Sequence, residues 1–155
     1  MAVDQSSVQK GLSVMVTALI RAGGRVLTGS SYAVFGAAAL SEPGARVQQA
    51  APLLAKIRKV VPLPDDELVV RGNGAVQLIA GGLLAVGVLP RLSALAITVS
   101  VVPTTLAGHA FWEIEDPTAR KLQRIQFQKN TAMIGGLLFA MAAETRAKDR
   151  SARKA

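Results

Sequence analysis

Two stretches decide the fold: Gly72-Asn-Gly-Ala-Val-Gln-Leu-Ile-Ala-Gly-Gly-Leu-Leu-Ala-Val-Gly-Val-Leu-Pro90 and, beyond Arg91, Leu92-Ser-Ala-Leu-Ala-Ile-Thr-Val-Ser-Val-Val-Pro-Thr-Thr-Leu-Ala-Gly-His-Ala-Phe-Trp112. The first has 19 residues without a charge and the second 21. About 20 apolar residues, rising 1.5 Å each, cross a ~30 Å hydrocarbon core, so both are long enough to span a bilayer. The Leu89-Pro90-Arg91 link joins them as an antiparallel hairpin. Neither carries the polar stripe at 3.6-residue spacing that a surface helix of a soluble bundle, the competing reading, would show.

Working outward, Val26 to Ser41 supplies 16 uncharged residues and ends at Glu42-Pro43-Gly44, a combination that stops helices. Asn130 to Ala143 supplies 14. That segment reaches spanning length only if its helix begins near Arg124 and carries Gln126, Gln128 and Lys129 in its first turns, where they snorkel or face protein. The pattern predicts an all-α integral membrane four-helix bundle in a single domain, 1–155. Spans are expected at about 22–41, 70–89, 92–112 and 124–143, with a basic tail at 144–155. The apolar stretch Gly11–Ile20 is followed by Arg21 and Arg25 rather than a small-x-small cleavage site, and is read as retained.

The connection between the first two spans, Gly44 to Pro62, places Leu53, Leu54, Ile57, Val60 and Val61 among Lys56, Arg58 and Lys59 at roughly helical spacing. An amphipathic segment lying on the membrane surface is expected there. Asp65, Asp66 and Glu67 then open the second span at the positive end of its helix dipole.

Half of the 155 residues are hydrophobic but only 4% are aromatic, a composition suited to close-packed helices in lipid. The net charge of +8 is concentrated partly in Arg146-Ala-Lys-Asp-Arg-Ser-Ala-Arg-Lys154. A basic tail directly after an apolar helix reads as an anchor against anionic lipid, and with no aromatic platform beside it, nucleic acid is not an expected partner. The absence of cysteine excludes disulfides, thiolate metal sites and thiol redox chemistry.

With an even number of spans both termini share one side. Lysine and arginine divide nine to nine between the sides, so the positive-inside count alone is a tie. Arg25, Arg91 and Arg146 sit directly at span ends and the tail is dense, which favours both termini in the cytoplasm, with Arg25 and Arg91 as inner-edge anchors.

In that topology Asn73 and Gln77, His109, and Lys129 with Asn130 fall at similar depth in the outer half of the bundle. Polar groups inside a membrane are costly and are candidates for function. His109, the only histidine, reads either as a proton relay or cofactor contact, or as an interfacial hydrogen bond beside Phe111 and Trp112. Lys129 reads as a contact to an anionic headgroup or quinone oxygen, or as a snorkelling residue. Glu113 adds little to a metal site built on a lone histidine, and none is expected. Gly81-Gly82 with Ala85, and Gly135-Gly136 with Ala140, are read as small-residue packing faces. Pro103 should kink the third span and free a carbonyl that Thr104 or Thr105, or a neighbouring helix, accommodates. No nucleophile–base pair or paired carboxylates emerge, so no catalytic activity of its own is expected.

Several of these residues form an ordered set. Arg25 with Gly36, Asn73-Gly74 leading to Ala80-Gly81-Gly82-Leu-Leu-Ala-Val-Gly87 and Pro90-Arg91, Gly108-His109-Ala-Phe111-Trp112, and Gln128-Lys129-Asn130 leading to Ile134-Gly135-Gly136 resemble the DoxX family of four-span bacterial membrane proteins, in its mycobacterial-type branch. The resemblance covers roughly residues 18 to 143. It implies a four-helix membrane fold and an association with redox physiology. Relatives include a membrane subunit of thiosulfate:quinone oxidoreductase and members of an assembly with a superoxide dismutase and a sulfurtransferase. It therefore implies an accessory or anchoring subunit of a redox complex, with quinone or lipid as ligand and other membrane or redox proteins, or further copies of itself, as partners. The alternatives are a small ion or solute transporter or channel, and a lipid-binding structural subunit.

Overall fold

A computed structural model describes the backbone of residues 5–152 and the side chains of 5–142. Within it the chain is helical throughout its regular structure: α1 (Gln5–Ser41), α2 (Gly44–Arg58), α3 (Asp66–Ala85), α4 (Pro90–Gly108), a short 3-10 turn (Phe111–Glu113) and α5 (Pro117–Ala152). The tail expected at 144–155 lies outside the described side chains; its backbone to Ala152 is the end of α5.

Local chemistry sets several of these boundaries. Asp65 caps α3, its Oδ1 accepting from the Leu68 N–H at 3.1 Å, and Asp66 and Glu67 follow in the first turn. Between α3 and α4 the chain reverses through two left-handed residues, Gly87 at φ 76° and Leu89 at φ 46°, and Pro90 opens α4 at its first turn. The hairpin is therefore tight as expected, although α3 ends at Ala85 rather than 89. α1 stops at Ser41, ahead of Glu42-Pro43-Gly44, but begins far earlier than 22. Gly11–Ile20 extends the same helix and is exposed along its whole length. α5 likewise starts before 124.

α1, α3, α4 and α5 run alternately up and down. α1 and α3 pack backbone to backbone: a β-carbon on Gly81 would stand 2.5 Å from the Ala33 nitrogen, and one on Gly29 2.5 Å from the Gly81 oxygen. Gly36 and Gly74 make the equivalent approach one heptad away. Small residues thus bring these two helices together, as in many membrane helix pairs. Of the first expected small face Gly81 and Ala85 take part in this approach and Gly82 does not; the second is corrected, since Gly135 and Gly136, like Gly82, have no atom within 4 Å of a β-carbon position.

The buried centre consists of Tyr32, Ala80, Leu84, Ala94, Ile97, Val101 and Leu137, so all four long helices contribute. Outside it the surface is apolar: Leu27, Ile79, Val99 and Phe139 are exposed, Phe139 by 80%. An outward-facing apolar surface of this extent suits lipid, not water. α1, α3 and the segment Pro90–Glu113 are long and apolar enough to cross a membrane.

α2 is the amphipathic connection expected, with its apolar side turned to the bundle. Leu54 is buried and Leu53 half-buried against the bundle, where α2 packs on α3 and α4. Val60 and Val61 do not continue this face; they follow the helix and are exposed. Pro62 explains the early stop, because the residue before a proline is driven out of helical conformation. α4 runs continuously through Pro103, and the neighbouring threonines do not take up the carbonyl it frees. Thr104 and Thr105 donate instead to the carbonyls of Ser100 and Val101, at 2.8 and 2.7 Å.

Candidate functional site

At the end of the bundle where α2 lies, the helices line a partly open cavity of about 390 Å3. α2 forms its roof through Ala50, Leu53, Leu54 and Ile57; Tyr32, Phe35 and Ala39 of α1 and Val69, Val70, Asn73 and Gln77 of α3 form one side. α4 contributes Val101, Thr104 and His109 among others, and α5 Asn130 and Met133. The size and the mainly apolar wall with a few convergent polar groups are those of a small-molecule site.

The polar groups form a connected chain. Gln77 Nε2 donates to Ser100 Oγ at 3.0 Å, Ser100 Oγ donates to Asn73 Oδ1 at 2.7 Å, and Asn73 Nδ2 donates to Thr104 Oγ1 at 2.9 Å. Across α4, Asn130 Nδ2 donates to Thr105 Oγ1 at 3.1 Å. α4 is thus hydrogen-bonded to α3 on one face and to α5 on the other. In a medium without water these pairings fix register as well as adding stability.

His109 ends α4. Its Nδ1 is 2.7 Å from Gln123 Oε1 on α5, an arrangement that requires a proton on Nδ1. Below it Phe111, Trp112 and Phe127 make a three-ring cluster with centroids 5.1 to 5.8 Å apart. Glu113 turns away to Lys56 at 3.4 Å, so it does not join His109.

Of the residues singled out from sequence, Asn73, Gln77, His109 and Asn130 meet at this one cavity. Lys129 does not: it is exposed, one residue round the helix from Asn130. Arg25 and Arg91 lie at the opposite end. A β-carbon on Gly87 would stand 3.5 Å from Arg25 Cζ, which puts the guanidinium over the α3–α4 turn, and Arg91 is exposed in the first turn of α4.

Sequence reading missed Ser100, Thr105 and Gln123, which complete the polar contacts, and Tyr32, buried in the cavity wall. Serine and threonine inside an apolar helix satisfy themselves on the preceding turn and give little signal. It also missed how α2 is held. Arg58 bonds Asp66 at 2.7 Å and the Pro64 carbonyl at 2.7 Å, and Lys56 pairs with Glu113, so two exposed ion pairs tie the roof to α3 and to the 3-10 turn. Beside them Arg71 holds Glu67 at 2.8 Å and donates to the Leu40 carbonyl near the end of α1.

No curated protein and no solved structure matches the chain. A family match covers residues 20–110, from within α1 through α2, α3 and α4, and includes Arg25, Asn73, Gln77 and His109 but neither Lys129 nor Asn130. With more than half its length matched, and with long apolar helices packed into a bundle, the chain is a membrane protein belonging to the DoxX family.

Proposed function

We propose that this protein is an accessory or anchoring subunit of a membrane redox complex, concerned with quinone and sulfur chemistry or with oxidative stress, and that the cavity under α2 receives a quinone or a lipid. The observation that supports this reading is the cavity itself: a partly open, largely apolar space at one end of a membrane bundle, with Asn73, Gln77, His109 and Asn130 in its wall. A quinone is apolar apart from carbonyl oxygens that accept hydrogen bonds, and the side-chain N–H groups of Asn73, Gln77 and Asn130 are donors of the required kind. The residues present therefore fit such a group. When bound, a quinone would supply two-electron redox chemistry; the chain's own part is to hold and orient it and keep water out.

The same reading takes α5 as the fourth span, places both termini in the cytoplasm with Arg25 and Arg91 at the inner edge, and assigns the chain to the mycobacterial-type branch of the family. Other redox proteins, or further copies of the chain, are its partners.

Affinity capture from native membranes in mild detergent tests the reading, with mass spectrometry of the co-purifying proteins and of the organic extract. Redox enzymes in the eluate together with quinone or lipid at stoichiometric amounts are expected. A clean homo-oligomer with neither partner nor extractable ligand would overturn it.

A further inference from the structure

The α1 face that meets α3 repeats every seven residues. Gly29 and Ala33 meet Gly81, and Gly36 and Leu40 meet Gly74, so closely that a β-carbon on either α3 glycine would stand within 3.0 Å of their backbone. Carried toward the N-terminus, the same alternation of three- and four-residue steps reaches Val26 and Ala22, then Leu19, Met15, Leu12 and Val8, with no polar residue on it. α3 has ended by then, since Ala85, its last residue, lies against Gly29. Val8, Leu12, Met15 and Leu19 are each more than half exposed. The opposite side of the segment carries Ser6, Lys10, Ser13 and Thr17, and the hydroxyls of Ser13 and Thr17 donate to carbonyls of their own helix. A one-sided stripe of large aliphatic side chains calls for a surface to cover it.

We propose that the N-terminal half of α1 is the docking surface for a partner protein. The docked segment is an amphipathic helix with its own heptad stripe of aliphatic residues, seated beneath the α3–α4 turn in line with α3. The inference deepens the anchoring reading and rests on it for the existence of a partner. Seven-residue periodicity is the mark of helix packed on helix, and here it continues a seam whose other half a helix already occupies. The side chains enlarge from Gly and Ala to Val, Leu and Met where the seam runs out past α3, a size suited to knobs-into-holes packing on a second helix. Lys10 is the one charge from Gln5 to Ile20 and lies off the stripe, so the matching face of the partner is uncharged. Two other coverings fit less well. A second copy inserted in the same bilayer runs parallel, and its α1 laid along this stripe would continue into the volume held by α3. A helix lying in the lipid interface carries a polar face rich in lysine and arginine, and this stripe points to the side that α3 occupies rather than outward.

The test places the photocrosslinker p-benzoylphenylalanine in the full chain in its native membrane, at Leu12 or Leu19 on the stripe and at Lys10 or Thr17 opposite. Irradiation at the stripe positions is expected to give one adduct with another polypeptide, which tandem mass spectrometry maps to a helix with aliphatic residues at three- and four-residue steps; the opposite positions should give little of it. Adding Met15→Glu to the Leu19 variant puts a charge in the stripe and should lower the adduct about tenfold, with the melting temperature of the isolated chain unchanged. Such an adduct with a protein of no redox function would leave this inference standing and overturn the redox reading. No adduct, equal adducts on both faces, an adduct undiminished by Met15→Glu, or an adduct with lipid, with a second copy or with a segment lacking the aliphatic spacing overturns the inference. The redox partners and extractable ligand sought above still decide the reading it rests on.

Discussion

Gln77 on α3 donates to Ser100 on α4 at 3.0 Å, and both side chains are buried, at 6% and 5% exposure. Ser100 passes the interaction on to Asn73 at 2.7 Å, so a single hydroxyl on α4 joins two amides one helical turn apart on α3. The α3–α4 hairpin is therefore held by a polar seam as well as by its tight turn. Interhelical hydrogen bonds in membranes are worth about 0.6 kcal/mol on average and up to about 1.7. Gln77→Ala is expected to cost about 1 kcal/mol and Ser100→Ala somewhat more, because it strands two partners. A double-mutant cycle read by reversible unfolding in mixed micelles should give a coupling of at least about 0.5 kcal/mol; a coupling indistinguishable from zero would remove the seam from the account of stability.

Glycines that look alike in sequence should respond in opposite directions. Gly81→Ala sets a methyl 2.5 Å from the Ala33 nitrogen, and Gly36→Ala sets one 2.5 Å from the Gly74 oxygen; the obstacle is backbone, which has nowhere to go. Forcing α1 away from α3 should cost about 1–3 kcal/mol or more, the usual range for overpacking. Gly135→Ala and Gly136→Ala meet nothing within 4 Å and should be neutral or gain up to about 1 kcal/mol from helix propensity. Melting temperatures of the four variants in one detergent check this, and equal losses at all four positions would show that Gly135 and Gly136 face a partner helix.

That contrast marks how far the fold was legible. The hairpin of α3 and α4 is written in two uncharged runs separated by Arg91, and Asn73, Gln77, His109 and Asn130 stand out because amides and imidazole are conspicuous in apolar helices. Helix length is less legible. α1 and α5 run on past their apolar segments through Lys10 at one end and Arg120, Lys121 and Arg124 at the other, because nothing in those flanks breaks a helix. The partners within the polar seam are hidden for a different reason: Ser100 and Thr105 are small residues in an apolar run, and only the rotation of α4 decides which neighbour each one meets. Lys129 shows the limit of reasoning by depth, since one residue turns a helix by about 100° and takes it off the cavity face that Asn130 occupies.

The roof should loosen without the bundle unfolding. Lys56–Glu113 at 3.4 Å and Arg58–Asp66 at 2.7 Å are partly exposed pairs, each worth about 0–1 kcal/mol. Apart from them α2 rests on the apolar contacts of Leu53 and Leu54. In Lys56→Ala/Arg58→Ala the global midpoint should fall by no more than the equivalent of about 1–2 kcal/mol, while amide exchange rises selectively in Gly44–Arg58. High salt should reproduce part of that effect in the wild type. Unaltered exchange in α2 would mean that its apolar contacts alone hold the roof.

The topology offers the sharpest remaining prediction, because a chain without cysteine accepts single reporter thiols with no background. α5 carries Arg120, Lys121 and Arg124 ahead of its apolar segment, yet Leu137 is 2% exposed within the bundle centre and Met133, Ile134 and Met141 pack against that centre. In the proposed four-span topology α5 crosses the hydrocarbon beside α4. Gln48→Cys on α2 and Glu115→Cys beyond the 3-10 turn should therefore react with an impermeant maleimide added to intact cells. Gln9→Cys and Ser151→Cys should react only after the membrane is broken. Labelling of Ser151→Cys together with Gln48→Cys would reduce the number of spans to three. Complete inversion of the pattern would keep four spans and place the termini outside, which would show that the span-end arginines do not decide an orientation on which the overall count is tied.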